Sequence, residues 1–351
     1  MEPIKITSKS HIIISGGAGF IGSHLSRRLL NLGAKVTILT RHTHSPQAVQ
    51  LEREGATILP CDVTSLMATS IHNDLCGADV FYHLAADVAI SSSKTWETNV
   101  VGTQRALNFA EAAQIPYVVF ASSIEAQGLG SEDEIPLGEQ MPCRPVSEYG
   151  ASKAKAEELA LAWSRESGRH VLVFRIGNIY GPGSAWLMQP SLMALSGVSS
   201  LAGVWSQLEH RVLQPLYIDD LIEGMLSAAG RRLTGLYNIT GEQPVTVGGY
   251  LRSLADLLQL SERTDVLQMP SGEETSPTLS PDFAYLLMGR PNRCHRSYDN
   301  TRLRSCIGPY ARWPLARGLA STLRWFQQSD LWPALLNMAR RRTGDGVCMS
   351  R

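Results

Sequence analysis

The sequence predicts an α/β protein built on a doubly wound parallel sheet, with a smaller C-terminal α/β lobe. Three observations carry that reading. Short apolar runs alternate with helix-patterned segments from residue 11 to about residue 176. A glycine-rich turn separates the first apolar run from the first helix. The length, 351 residues, suits two lobes better than one.

The elements follow in order. Ile12-Ile13-Ile14 ends in Ser15-Gly16-Gly17 and reads as a strand buried on both faces. Phe20 to Leu32 carries Leu25, Leu29, Leu30 and Leu32 at near-helical spacing and is closed by Gly33. Lys35 to Leu39 is a second strand. Strand, helix and strand fall within about 30 residues, the size of a βαβ unit. Thr57–Leu59 and Val80–Leu84 continue the strands, then Glu97–Ala113 reads as a helix. Tyr117–Ala121 is a strand, Tyr149–Ser167 a helix and Val171–Ile176 a strand. Past Gly181-Pro182-Gly183 the pattern is irregular to about Gln214. Leu216–Ile218 and Leu236–Ile239 then read as strands around a helix at Asp220–Ala229. Thr246–Leu258 is a helix, Pro270–Pro281 an exposed loop, and an arginine-rich helical stretch runs to about Trp325. The division is 1–180 with 214–256 returning to it, then 181–213 with 257–330, then a tail at 331–351.

Composition removes several classes of function. The chain is 44% hydrophobic and 18% charged, with 32 basic against 32 acidic residues. Zero net charge leaves no general field for a polyanion, so no nucleic-acid partner is expected. The apolar content excludes disorder. The six cysteines, Cys61, Cys76, Cys143, Cys294, Cys306 and Cys348, are scattered without a CxxC pair. They read as reduced thiols, with neither a disulfide framework nor a metal site. No apolar run approaches the roughly 18 residues of a spanning helix, and Met1–Ser10 has no apolar signal core. The expectation is a cytoplasmic protein without integral membrane association. The tail pairs Trp332, Leu335, Leu336 and Met338 with Arg340-Arg341-Arg342. It reads as a frayed end, with contact to an anionic membrane as the alternative.

Ser15-Gly16-Gly17-Ala18-Gly19-Phe20-Ile21-Gly22 follows a strand and opens a helix. Gly16 permits the turn, Gly19 admits a pyrophosphate to the backbone, and Gly22 lets helix and strand approach. The helix N-terminus at Phe20 and Ile21 offers free N–H donors to phosphate. The context of strand before and helix after makes this a dinucleotide loop rather than a plain turn. The second strand ends in Leu39-Thr40-Arg41-His42, without the carboxylate that grips an NAD ribose. Thr40 and Arg41 suit a 2′-phosphate, which favours NADP over NAD.

Tyr149 and Lys153 stand four apart on one helix face. An ammonium there stabilises a phenolate, so Lys153 is expected to lower the Tyr149 pKa and make it a general acid/base. Ser122 and Ser123 lie at the carboxyl end of the strand that begins at Tyr117, where hydroxyls face the ligand crevice of a parallel sheet.

With these pieces in place the chain resembles an extended short-chain dehydrogenase/reductase of the NAD-dependent epimerase/dehydratase type, from about His11 to Phe326. Further segments carry the likeness: Asp62-Val63, His83-Leu84-Ala85-Ala86, Asn99-Val100-Val101-Gly102-Thr103, Glu139, Arg175 to Gly183, Tyr217 to Leu221, and Gly289-Arg290-Pro291. The resemblance implies a Rossmann domain for the first unit and a substrate lobe for the second. It implies that Asp62 and Val63 border the adenine, that Leu84, Ala85, Ala86 and Ile176 line the cofactor groove, and that Asn99 supports the active-site edge. Ser123, Tyr149 and Lys153 would be catalytic, with Lys153 also holding the nicotinamide ribose. Ser122, Asn178, Arg211 and Arg290 would meet the substrate, a nucleotide sugar. His83 reads as a satisfied strand histidine. A homodimer through the helices at Glu97–Ala113 and Tyr149–Ser167 is also implied.

The implied chemistry oxidises a ring hydroxyl to a transient ketone, and the next step sets the reaction. Glu125, two after Ser123, stands where similar dehydratases and sugar-acid decarboxylases carry a second acid/base; a solvated helix-start carboxylate is the plain alternative. Ile124 replaces the aspartate of 4,6-dehydratases, and Leu213 replaces a diphosphate-binding arginine that Arg211 would have to supply. The segment Ser184–Trp205 is apolar. It keeps open an NADP-dependent oxidoreductase of a hydrophobic alcohol, like hydroxysteroid or dihydroflavonol enzymes. A non-catalytic NADP-binding regulator is the third reading, opposed by the intact Ser123, Tyr149 and Lys153.

Overall fold

The computed structural model of the protein describes residues 6–66, 75–88, 94–184, 191, 209–258, 295–329 and 332. Seven parallel strands form the main sheet: β1 His11–Ser15, β2 Lys35–Thr40, β3 Thr57–Pro60, β4 Val80–His83, β5 Tyr117–Ser123, β6 His170–Ile176 and β10 Gly235–Ile239. Their spatial order is β3-β2-β1-β4-β5-β6-β10. The order reverses beside β1, so the crevice at the carboxyl ends of β1 and β4 is where such a sheet receives a ligand.

The apolar strands are buried on both faces because helices cover both. On one face Ile12, Ile14, Val36, Ile38, Tyr82, Val119 and Phe174 meet Leu25 and Leu29 of α1 (Phe20–Asn31) and Met225 of α6 (Ile218–Gly230). On the other, Ile13, Phe81, Val118, Phe120 and Val173 meet Phe109 of α3 (Gly102–Ala112). They also meet Ala160 and Trp163 of α5 (Glu148–Ser167). Each such buried aliphatic or aromatic side chain contributes about 1.5–3 kcal/mol.

Local chemistry explains the ends. Ser147 accepts from the Gly150 N–H at 3.0 Å and starts α5, and Gly168 stops it in a left-handed conformation at φ 69°. The helix expected from Glu97 begins as one π turn, Glu97–Val101, before α3. The pattern did not reveal α2 (Pro46–Arg53), although Ser45 caps it and Pro46 sits in its first turn. It also missed the single turn α4 (Ile124–Gln127).

Beyond β6 the chain forms β7 (Asn178–Tyr180), parallel to β9 (Pro215–Tyr217), and β8 (Val212–Leu213), antiparallel to β11 (Val245–Thr246). Three further helices follow: α7 Val247–Leu257, α8 Thr301–Ile307 and α9 Leu315–Gln327. Residues 295–298 run as a strip across the sheet's carboxyl edge. His295 bridges Gly130 and Tyr298 bridges Leu137, while the Arg296 N–H donates to the Val212 carbonyl at 2.9 Å. The apolar segment after Ser184, the loop at 270–281, Arg290 and the tail beyond Trp332 lie outside the described residues.

Candidate active site

The glycine turn closes as the sequence requires. Gly16 adopts φ +71°, and a Cβ there would press on the Ala85 backbone. A Cβ on Gly22 would overlap the Gly16 carbonyl and the Gly17 Cα. No side chain caps α1, so the N–H groups at Phe20, Ile21 and Gly22 are left for a ligand. In front of them lies a cavity of about 360 Å³, lined by Gly16, Gly19, Thr40, Arg41, Val63, Leu84, Ala85 and Ala86 among others. A close-approach cradle, open helix donors and a cleft of this size fit a dinucleotide.

At the far end of the cavity Thr40 accepts from the His42 N–H at 3.1 Å. Arg41 stands 3.8 Å from Asp62. Burial alone would raise the Asp62 carboxyl, but hydrogen bonds from the Thr64 N–H and hydroxyl, with Arg41 and Lys94, hold it below the ordinary range.

Asn99 does not face solvent. Its Oδ1 accepts from the Asp87 N–H at 2.8 Å and its Nδ2 donates to the Asp87 carbonyl and to Ser152, both at 2.9 Å. It therefore pins the segment after Ala86 to α5. His83 is fully enclosed, 2.7 Å from Ser15 and 3.1 Å from Thr103. Burial first, then the Lys153 charge, push its pKa down to about 3. The plain reading of His83 is what the structure has.

Three consecutive residues of β5 hold three residues of α5. The Ala121 carbonyl accepts from Lys153 Nζ at 2.7 Å, the Ser122 hydroxyl donates to Glu157 at 2.5 Å, and Ser123 is hydrogen-bonded with Tyr149. Ile176 pairs with Ser123 in register across β6. Two expectations are corrected here. Ser122 was expected to face substrate; strand alternation instead turns it with Val118 and Phe120 onto α5, where Glu157 takes its hydroxyl. Lys153 was expected to lower the Tyr149 phenol. Burial raises it instead, with Glu125 pushing the same way and the Ser123 bond opposing. Lys153 itself is pushed down to about 8 by burial, against the pull of Glu157.

Glu125 is not a solvated helix-start carboxylate. It is 5% exposed, and its Oε1 accepts from Arg296 at 2.5 Å. Its Oε2 is buried with no hydrogen-bond partner among the described residues, and the same holds for Asn178 Oδ1 on β7. Arg211 sits just before β8, its carbonyl accepting from the Val247 N–H at 2.9 Å. Sequence reasoning missed Arg296. It lies 171 positions from Glu125, and only the strip at 295–298 brings the two together.

Residues 12–240 match the model of the NAD dependent epimerase/dehydratase family. The chain belongs to that family. Its members among the relatives are enzymes. A dTDP-glucose 4,6-dehydratase of Streptomyces niveus is 28% identical over 95% of this chain and 97% of its own. A UDP-N-acetyl-alpha-D-glucosaminuronate decarboxylase of Bacillus cytotoxicus (strain DSM 22905 / CIP 110041 / 391-98 / NVH 391-98) is 27% identical over 92% and 99%. Among solved structures, the dTDP-glucose 4,6-dehydratase DesIV of Streptomyces venezuelae, crystallised with NAD, superposes with TM-score 0.73 at 25% identity. That match covers 93% of this chain and 99% of that one. These family members share the extended short-chain dehydrogenase fold, and the seven-stranded sheet described above is that fold. Among the described residues no helix is long and apolar enough to cross a membrane, and no cluster of His, Cys, Asp and Glu suits a metal.

Proposed function

We propose that the chain binds NAD or NADP and acts on a nucleotide sugar through a transient keto intermediate. The observation that carries the substrate class is two buried acceptors at the sheet's carboxyl edge, Glu125 Oε2 and Asn178 Oδ1, that have no hydrogen-bond partner among the described residues. A buried acceptor left without a donor costs about 1–3 kcal/mol. Hydroxyl-rich ligands supply several such donors; a hydrophobic alcohol has only its reacting hydroxyl. The relatives act on dTDP-glucose and UDP-N-acetyl-glucosaminuronate by name, which supports the same class.

Bound in the crevice, the nicotinamide supplies a hydride acceptor and donor. The chain's own residues do the rest. Ser123 holds the reacting oxygen, Tyr149 takes and returns its proton, and Lys153 anchors the ribose beside them. Glu125, fixed by Arg296 and with Oε2 unbonded among the described residues, serves as the base at the carbon next to the ketone. That position supports elimination or epimerisation at the neighbouring carbon over simple release of a ketone.

NADP is the finer reading of the cofactor, supported by Thr40 and Arg41 at the end of β2; NAD is bound in the DesIV structure. A homodimer through α3 and α5, and a cytoplasmic location, complete the proposal. Sedimentation would read the first and cell fractionation the second.

The deciding experiment incubates the protein with NAD or NADP and a panel of dTDP- and UDP-sugars, including uronic acids, and identifies products by mass and NMR. Loss of water, loss of carbon dioxide or an inverted stereocentre each names the branch. No turnover of any nucleotide sugar, with turnover of a hydrophobic alcohol, overturns the reading. Tyr149→Phe is expected to lower kcat by about 10²–10⁴-fold while cofactor still binds.

A further inference from the structure

Glu157 lies outside every role given so far, yet it is buried, 4% exposed, one turn beyond Lys153 on α5. Arg175 of β6 grips it with both arms, Nε to Oε1 at 3.0 Å and a terminal nitrogen to Oε2 at 2.8 Å. Ser122 adds its hydroxyl to the same Oε1. The other terminal nitrogen of Arg175 donates to the Glu139 carbonyl at 3.3 Å, and the nitrogen on Oε2 also meets Cys143 Sγ at 3.0 Å. A buried ion pair is weak support for stability, because apolar residues of similar volume are often as good or better. The pair therefore calls for a different explanation, and its position gives one.

We infer that Glu157 is a positioning residue that keeps the Lys153 ammonium charged beside Tyr149, held in place for that task by Arg175 and Ser122. The inference rests on Tyr149 and Lys153 being the reactive pair. Among the described residues, these groups face Lys153. From β4 comes His83, uncharged near neutral pH with its pKa at about 3. From β5 come the Phe120 ring, 4.9 Å from Nζ to its centroid, and the Ala121 carbonyl. From α5 comes Glu157, four residues on, with Tyr149 four residues before on the same helix. Glu157 is thus the counter-charge that opposes the desolvation of Lys153. Without it a buried lysine sheds its proton at lower pH, and the site loses the cation that the Ala121 carbonyl holds one helical turn from Tyr149. The Ser122 bond fixes which Glu157 oxygen faces the strand, so the carboxylate cannot swing out toward Arg175 alone.

The test reads Lys153 directly in the resting protein. The chain has six lysines, so a ¹³C-lysine NMR titration is resolvable, with Lys153 assigned by its loss in Lys153→Arg. The wild-type midpoint is expected near about 8, the balance of burial against the opposing charge of Glu157. Glu157→Gln is expected to lower it by about one pH unit or more, and Glu157→Asp to retain it. In turnover, the alkaline limb of kcat should move down by the same amount in Glu157→Gln with KM unchanged. A purely structural glutamate would lower activity without moving either midpoint. Should Glu157→Gln not fold, the double variant Glu157→Leu with Arg175→Leu removes both charges together, and the Lys153 midpoint should still fall. An unmoved midpoint in whichever variant folds overturns the inference. Because the NMR measurement needs no substrate, its outcome is independent of which sugar, or whether any sugar, is turned over.

Discussion

Single residues decide more here than their type suggests. His83 is an ordinary imidazole made silent by enclosure, its pKa held at about 3 by burial and then by Lys153. The unfolded chain's histidine takes a proton below about pH 6.5, while the folded one refuses it until far lower. Across that window the unfolded state binds more protons, so stability falls as pH drops. The contribution has a limiting slope of about 1.4 kcal/mol per pH unit. Denaturant midpoints taken at about pH 7 and about pH 5 should differ more in wild type than in His83→Gln. Equal differences would remove His83 as the cause. At the other end of the crevice, Arg41 is half exposed and only loosely paired with Asp62. Arg41→Ala is expected to weaken NADP binding by about tenfold or more and to leave NAD binding nearly unchanged, since besides a 2′-phosphate it loses only the long, half-exposed pair with Asp62, which is worth little. Equal affinities for NADP before and after, by calorimetry, would remove the NADP preference.

At the scale of elements, the strand and helix periods were legible because burial enforces them. Ile12, Ile13 and Ile14 read as a strand buried on both sides, and they divide between the two core layers by simple alternation. The same alternation, applied to the end of β5, places Ser122 on the α5 side with Phe120. Two adjacent serines read as one feature conceals that. α2 was obscured for another reason: its eight residues are too short and polar to show a periodic face, and only Ser45 and Pro46 mark its start. The site itself was legible where neighbours in sequence are neighbours in space, as with Tyr149 and Lys153. It was illegible where loops fold back, as with Arg296. The register of Tyr149 depends on how α5 begins. Ser147→Ala removes the hydrogen bond to Gly150 and is expected to cost about 1 kcal/mol. Chemical denaturation would read it, and a loss below a few tenths would mean that tertiary packing alone sets the helix start.

The whole molecule is joined through its active site. Arg296 and Glu125, 3% and 7% exposed in their side chains, meet across the strip at 295–298 that crosses from the late chain to the sheet edge. Removing one partner leaves the other charge buried, so Arg296→Ala is expected to cost about 3–5 kcal/mol. Arg296→Met combined with Glu125→Met should recover much of that in urea denaturation while abolishing turnover. A single variant as stable as wild type would show the pair to be solvated. The strip has one more consequence. Its bridges to Gly130 and Leu137, the Tyr298 hydroxyl on the Gly128 carbonyl at 2.7 Å, and the Asn300 and Tyr310 bonds around Thr240 all join the two sides of residues 258 and 295. These non-covalent contacts hold the two sides together in addition to the chain that links them. A fragment ending at 258 carries Ser123, Glu125, Tyr149 and Lys153 and one beginning at 295 carries Arg296, so mixing them would be a complementation assay for the contacts that join the two.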